Sequence, residues 1–211
     1  MSGATPAPAA APPSPARHAE TVDLGMWAFL ATEMLFFGSL FMAYTLYRVS
    51  YPAAFRAGAQ DMEFGLGTLN TALLLVSSVC MALADRAVRA GRVRLGTLLL
   101  VATGVLGIAF LGIKGFEYHA KAVDGLVPGA HFRAGGAPQL QMFFALYFAM
   151  TGLHAIHMIL GVGAVIWLIV RLRRGTLSPS NAEPLAAIGL YWHFVDCIWV
   201  VLYPLFYLPG R

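Results

Sequence analysis

Charged residues are scarce in this chain: Asp, Glu, Lys and Arg make up 11% of its 211 residues, against 59% hydrophobic ones, where a soluble domain carries roughly 25% charged. So few charges would not cover the surface of the one or two soluble domains this length allows, which excludes a soluble enzyme. Cysteine is nearly absent as well. Cys80 and Cys197 each lie inside an apolar run without the neighbours of a CxxC or CxxCH motif, so neither a disulfide nor covalent heme attachment is expected. The N-terminus also lacks the basic start and short apolar core of a signal peptide. Its first seventeen residues, MSGATPAPAAAPPSPAR, offer nothing to bury, and residues 1–21 are expected to form a retained, disordered Ala/Pro-rich tail.

What the chain does have is long apolar runs, with a mean hydropathy of +0.71. A bilayer crossing needs about 20 mostly apolar residues, and five stretches qualify, at about 24–47, 64–84, 95–117, 140–170 and 185–208. The fourth exceeds the length of a perpendicular crossing, which implies tilt or projection beyond the bilayer. Pro184 stands near the start of the fifth, where proline is least disruptive. The expected fold is therefore all-α: a polytopic membrane protein whose residues 22–211 form one five-transmembrane-helix bundle.

The net charge of +4 might suggest nucleic acid, but the basic residues sit between apolar runs and not in a strip between aromatics. Arg86, Arg89, Arg92 and Arg94 separate two runs, and Arg171, Arg173 and Arg174 separate two others. An N-terminus on the cytoplasmic side places eight basic residues inside and five outside, with Lys114 in the membrane. Positively charged cytoplasmic loops favour that orientation, which puts the C-terminus on the outer side. The small-residue pairs Ser39 with Ala43, Ser78 with Ala82, and Thr151 with Ala155 are candidates for close helix approach.

Ionisable groups inside a span are costly and should face protein, water or a partner. Here they are Glu33, Lys114, Glu117, His154, His157, His193 and Asp196. Glu33, among Met34, Leu35, Phe36 and Phe37, is expected to be buried, either as a neutral carboxyl donating a hydrogen bond or as a proton-transfer group. Lys114 and Glu117, three apart on one helix, are placed to pair across a turn, with Tyr118 and His119 extending a polar cap toward the interface. His154 and His157 are also three apart and share an expected face. A catalytic zinc usually takes a third protein ligand, for which only His193 is at hand. Structural hydrogen bonding, with Asp196 orienting a histidine, is the alternative to a metal or heme, and no catalytic, cofactor or metal residue is assigned. A small b-type cytochrome built on the three histidines, and a transporter lined by Glu33, Lys114 and Glu117, are competing readings. Transporters often carry repeats and broken helices, which this sequence does not display.

In order, the chain presents LGMWAFLATEMLFFGSLFMAY, LNTALLLVSS, GFEYHAKAVDGLVPG, FALYFAMTGLHAIHMILG and LYWHFVDCIWVVLYPLFYL. From about Leu24 to Leu208 this resembles subunit III of the heme-copper terminal oxidases, the cytochrome c and quinol oxidase family. The resemblance places the family's first-helix carboxylate on Glu33, its later glutamate on Glu117, its paired histidines on His154 and His157, and its WHFVD signature on Trp192 to Asp196. Longer members have two further helices that help form a lipid-filled cleft, so the chain is similar to a short, five-helix form, with bound phospholipid compatible with that ancestry. The resemblance implies a subunit that holds no heme or copper itself, those cofactors lying in partner subunits. It also implies subunit I as the main contact, with subunit II and membrane lipids beside it, in the inner membrane of a bacterium. Its expected task is steadying subunit I and supporting proton uptake while the complex reduces oxygen to water in aerobic respiration. Membership of a larger respiratory supercomplex or of a nitric oxide reductase system, and the electron donor, stay open.

Overall fold

In the computed structural model, residues 15–129, 132, 138–178 and 181–209 are described, with side chains described from Leu24 onward. Six helices follow one another: α1 (Pro15–Ser50), α2 (Pro52–Gln60), α3 (Phe64–Arg89), α4 (Val93–Val123), α5 (Pro138–Arg173) and α6 (Glu183–Tyr207). All but α2 are long and apolar enough to cross a membrane. They match the five expected runs and extend most of them, because helical backbone satisfies its own hydrogen bonds and can continue past the bilayer core. α1 starts at Pro15, inside the segment expected to be tail; residues 1–14 lie outside the described residues.

The short helix α2 was not expected. Pro52 supplies a preset first-turn geometry, and Phe55, Gly58 and Ala59 form a buried face that docks on α5. The other helices build a ring in which α4 lies between α3 and α5, and α6 closes against both α3 and α5. α1 leans on the outside of α5 and α6 and leaves Leu24, Trp27, Met34, Leu35, Met42, Leu46 and Val49 exposed. A fully buried aromatic chain of Tyr44, Phe55, Phe143 and Phe206 fastens α1 and α2 to the ring, with neighbouring rings 5.0–5.7 Å apart.

Glycine sets the closest approach seen between the ring helices; of the small-residue pairs singled out above, buried Thr151 bonds Tyr118 across α4 and α5 and Ser78 meets His193 across α3 and α6. Ser39 and Ala82 are exposed, whereas a Cβ on Gly107 would stand 2.8 Å from the Trp192 ring and 3.1 Å from Val162. Gly161 receives the other side of the same indole. Trp192 is 1% exposed and has nowhere to retreat. Gly107→Ala is accordingly expected to destabilise the bundle by roughly 1–3 kcal/mol through overpacking, read as a lowered unfolding midpoint in mild detergent; an unchanged midpoint would mean the α4–α6 contact is looser than this.

The basic ends of α3 and α5 share one termination device. Gly91 and Gly175, with φ of 75° and 67°, take the left-handed conformation that glycine adopts without steric cost. The amides after them, of Arg92 and Thr176, donate back to Ala87 and Arg171, as in a Schellman cap.

Candidate functional site

The polar centre of the bundle is built on Lys114 and Glu117, which α4 presents on one inward face. Lys114 is 3% exposed and Glu117 1%, and the ammonium donates to Glu117 Oε2 at 2.9 Å. Its other two donors go to the hydroxyls of Tyr147 on α5, at 2.8 Å, and Tyr207 on α6, at 2.9 Å. Both hydroxyls in turn donate to Glu117 Oε1, at 2.8 and 2.6 Å. An ammonium has three protons to give and all three are used; each tyrosine hydroxyl accepts one bond and donates one. The circuit is closed, and it joins three helices. The rings of Tyr118, Tyr147, Trp199 and Tyr207 surround the ammonium at 4.9–5.6 Å, adding cation–π attraction where water is excluded.

The expected turn-spanning pair is thus present, but its tyrosine partners were not anticipated. Their signal was available: a tyrosine inside an apolar run needs somewhere to put its hydroxyl, and Tyr147 and Tyr207 both stand in such runs. Tyr118 does not extend a cap toward the interface as expected. It turns to α5 and bonds the Thr151 hydroxyl, while His119 is exposed. Farther along α4, buried Lys121 donates to the backbone carbonyl of Asp61, tying the end of the helix to the α2–α3 connection.

The paired histidines do not share a face. His154 is 1% exposed, lies between the Phe110 and Trp199 rings at 5.4 and 5.2 Å, and has no protein hydrogen-bond partner on either nitrogen. His157 points to α1, where Nε2 meets Glu33 Oε2 at 3.2 Å and the ring packs edge-on against Phe37. Three residues on a helix differ by about 60° in direction, enough here to send one ring inward and the other sideways. His193 pairs instead with Ser78 on α3, Nδ1 to Oγ at 2.6 Å. Asp196 is buried, lies beside Ser78, and makes no hydrogen bond to a histidine. Among the described residues no three His, Cys, Asp or Glu side chains come together as a metal-ligating group, and the three histidines face three different neighbours. Both cysteines are free.

Glu33 is less enclosed than its aromatic neighbours suggested. Met34, Leu35 and Phe36 face outward from α1, leaving the carboxyl partly covered, with its side chain 20% exposed and that of His157 14%. The contact is one of the few polar links between α1 and the ring, and polar pairs of this kind between transmembrane helices are worth about 1 kcal/mol. A double-mutant cycle of Glu33→Gln and His157→Ala should return a coupling near that size in unfolding free energy; additive losses would mean the two side chains act independently.

The WHFVD segment is used for packing and bonding between α6 and α3. Trp192 Nε1 donates to Ser77 Oγ at 3.1 Å, next in sequence on both helices to the His193–Ser78 contact, and Trp199 Nε1 donates to Thr71 Oγ1 at 3.1 Å. The motifs read from the sequence therefore converge on the interior of one bundle and on one flank, where α1 meets α5.

Relatives at the level of whole chains agree with that convergence. Cytochrome c oxidase subunit 3 of Alkalihalophilus pseudofirmus is 31% identical over 190 residues, covering 89% of this chain and 86% of that protein. A probable quinol oxidase subunit 3 of Staphylococcus haemolyticus is 28% identical over 188 residues, covering 89% and 88%. The heme-copper oxidase subunit I+III of Aeropyrum pernix is 32% identical over 195 residues; the match covers 90% of this chain, which spans only 23% of that longer protein. The family described as cytochrome c oxidase subunit III matches residues 16–211. Five membrane-spanning helices, the interior polar circuit on the motif residues and a family match over nearly the whole length together make this chain a member of the cytochrome c oxidase subunit III family.

Proposed function

We propose that the chain is a non-catalytic subunit of a proton-pumping heme-copper terminal oxidase of aerobic respiration, one that carries no cofactor of its own and works by steadying subunit I and supporting its proton uptake. The observation that carries this reading is how its intramembrane ionisable groups are spent. Lys114 and Glu117 are engaged by each other and by two tyrosines. Glu33 is engaged with His157, and His193 with Ser78. Five of the seven are committed in this way, while His154 and Asp196 are held in the packed interior without a hydrogen-bond partner; groups so enclosed support the reading of a rigid companion. Hemes and copper belong, on this reading, to partner subunits, with subunit I the main contact and subunit II beside it. The name of the Aeropyrum pernix relative, a subunit I+III, supports the pairing with subunit I.

The remaining assignments belong to the same proposal. Residues 22–211 act as a single membrane domain in the inner membrane of a bacterium. The N-terminus is cytoplasmic, because the Arg-rich ends of α3 and α5 then lie inside. The test is purification of the tagged chain in mild detergent. Heme-bearing oxidase subunits are expected to accompany it, and the chain separated from them is expected to show no Soret band. A Soret band on the isolated chain, or a stoichiometric transition metal lost on His154→Ala, would overturn the cofactor-free reading; a partner set without oxidase subunits would overturn the assembly.

A further inference from the structure

The search for unused chemistry leads to the seam between α3 and α6, where the two helices leave a groove of about 350 Å³, a volume in the range that holds small ligands. Met81, Leu185 and Leu190 give it apolar walls, and Ala82, Ala186 and Gly189 keep it open. Asp85 and Arg86 line its Arg-rich end and His193 the other. His193 spends Nδ1 on the Ser78 hydroxyl, at 2.6 Å, and its half-buried ring leaves Nε2 for another partner. Asp85 accepts from Arg89 Nε at 3.0 Å, but its side chain is 28% exposed and an ionised carboxylate has further acceptor sites. An ionisable group inside a span should face protein, water or a partner, and His193 faces this groove.

Ala82 and Ala186 are exposed, so the groove opens to the bilayer and what enters it is a membrane-soluble molecule. Its two charged lining groups are opposite in sign, and the groove therefore does not select for an anion. What it selects is a pair of hydrogen-bonding oxygens at a fixed separation. Ser78, which holds His193, and Asp85 are seven residues apart on α3, a rise of about 10.5 Å. A para-quinol carries its oxygens roughly 5.5 Å apart across a flat ring, and with a hydrogen bond of about 2.8 Å at each end it spans roughly 11 Å. Each hydroxyl both donates and accepts, so one gives its proton to the Asp85 carboxylate and the other matches His193 Nε2 in either tautomer. A flat ring also suits a slot kept narrow by alanine and glycine. Beyond His193, exposed Val79, Val76 and Val200 continue the apolar surface toward the far side of the bilayer, along the line of a prenyl tail.

We infer that the groove between α3 and α6 binds a membrane para-quinol, its ring between Met81 and Leu190 and its two hydroxyls held by Asp85 and His193. It is a site of binding, and no redox step is assigned to it. The site rests on the chain's place in a membrane and not on the proposed role in an oxidase.

The test uses the tagged chain in the complex it purifies with, kept anaerobic in mild detergent. An azido-substituted short-chain ubiquinone serves as photoaffinity probe, with adducts mapped on this chain by peptide mass spectrometry. Adducts should fall within residues 81–86 and 185–193. Excess decylubiquinol should displace the probe, and decylubiquinone should do so less well, because a quinone oxygen has no proton to give Asp85. Asp85→Asn, whose amide donates as well as accepts, should abolish that preference. Ala186→Phe, which fills the groove from an exposed position, should lower labelling about tenfold or more, whereas Leu95→Phe, in the separate groove between α3 and α4, should leave it unchanged. The competition on the parent chain needs no variant and guards against misfolding. Undiminished labelling in Ala186→Phe would overturn the site, as would adducts confined to other segments or displacement by phosphatidylglycerol or oleate as readily as by decylubiquinol. A chain labelled in the groove but purified without oxidase subunits would overturn the proposed function alone, so the two readings fail separately.

Discussion

Lys114→Met is expected to cost the fold about 3–5 kcal/mol, because it removes one partner of a fully buried ion pair and leaves the Glu117 carboxylate without its cation. Glu117→Gln should be comparably damaging: the ammonium would lose its only formal countercharge while still surrounded by four aromatic rings. Removing both charges, in Lys114→Met/Glu117→Leu, should recover part of the loss, since an apolar pair of similar volume carries no desolvation penalty. The recovery would be incomplete, because the hydroxyls of Tyr147 and Tyr207 would have lost both the donor and the acceptor they now serve. Adding Tyr147→Phe and Tyr207→Phe should return most of the remainder, an unmade buried hydrogen bond costing about 1–3 kcal/mol. Reversible unfolding in mixed micelles measures the series. Single variants with the stability of the parent would show that the circuit is not what holds α4, α5 and α6 in register.

Stripping the chain from its complex is expected to leave the hemes and copper in place and initial electron transfer intact, but to shorten the working life of the enzyme. The expectation follows from the proposed role: no ligand to a redox centre would leave with this chain, whereas a neighbouring surface of subunit I would be exposed and lose its ordered contacts. Proton uptake should slow most at alkaline pH, where free protons are scarce. Activity against time for intact and stripped enzyme, with optical spectra before and after, is the measurement. Immediate loss of heme signal would mean that the chain carries a cofactor, and equal lifetimes would mean that it protects nothing.

Much of this was legible before any coordinates. The five spans followed from apolar run length, and the seven intramembrane ionisable residues could be named one by one because lipid tolerates so few. Lys114 and Glu117 were readable as a pair since their spacing is a property of any helix. His154 and His157 have the same spacing, yet they part company. What separates them is the set of helices on either side: Phe110 and Trp199 receive one ring, and Glu33 on α1 receives the other. Glu33 was misjudged for a related reason. Aromatic neighbours in sequence suggest cover, but on a helix adjacent residues point in different directions, and here Phe36 and Met34 face away. The helix α2 was overlooked because a nine-residue amphipathic segment carries little signal beside runs of more than twenty.

By itself the sequence determined the solvent, the number of crossings, the family and the residues that had to find partners, because each of these depends on local composition, on spacing along one helix or on motif order. Only the tertiary structure decided who those partners are. Tyr147 and Tyr207 reach Lys114 from 33 and 93 residues away, and Ser78 reaches His193 across 115. Such contacts depend on how helices rotate and close upon one another, and that is set by packing at sites such as Gly107 against Trp192, which no single helix contains.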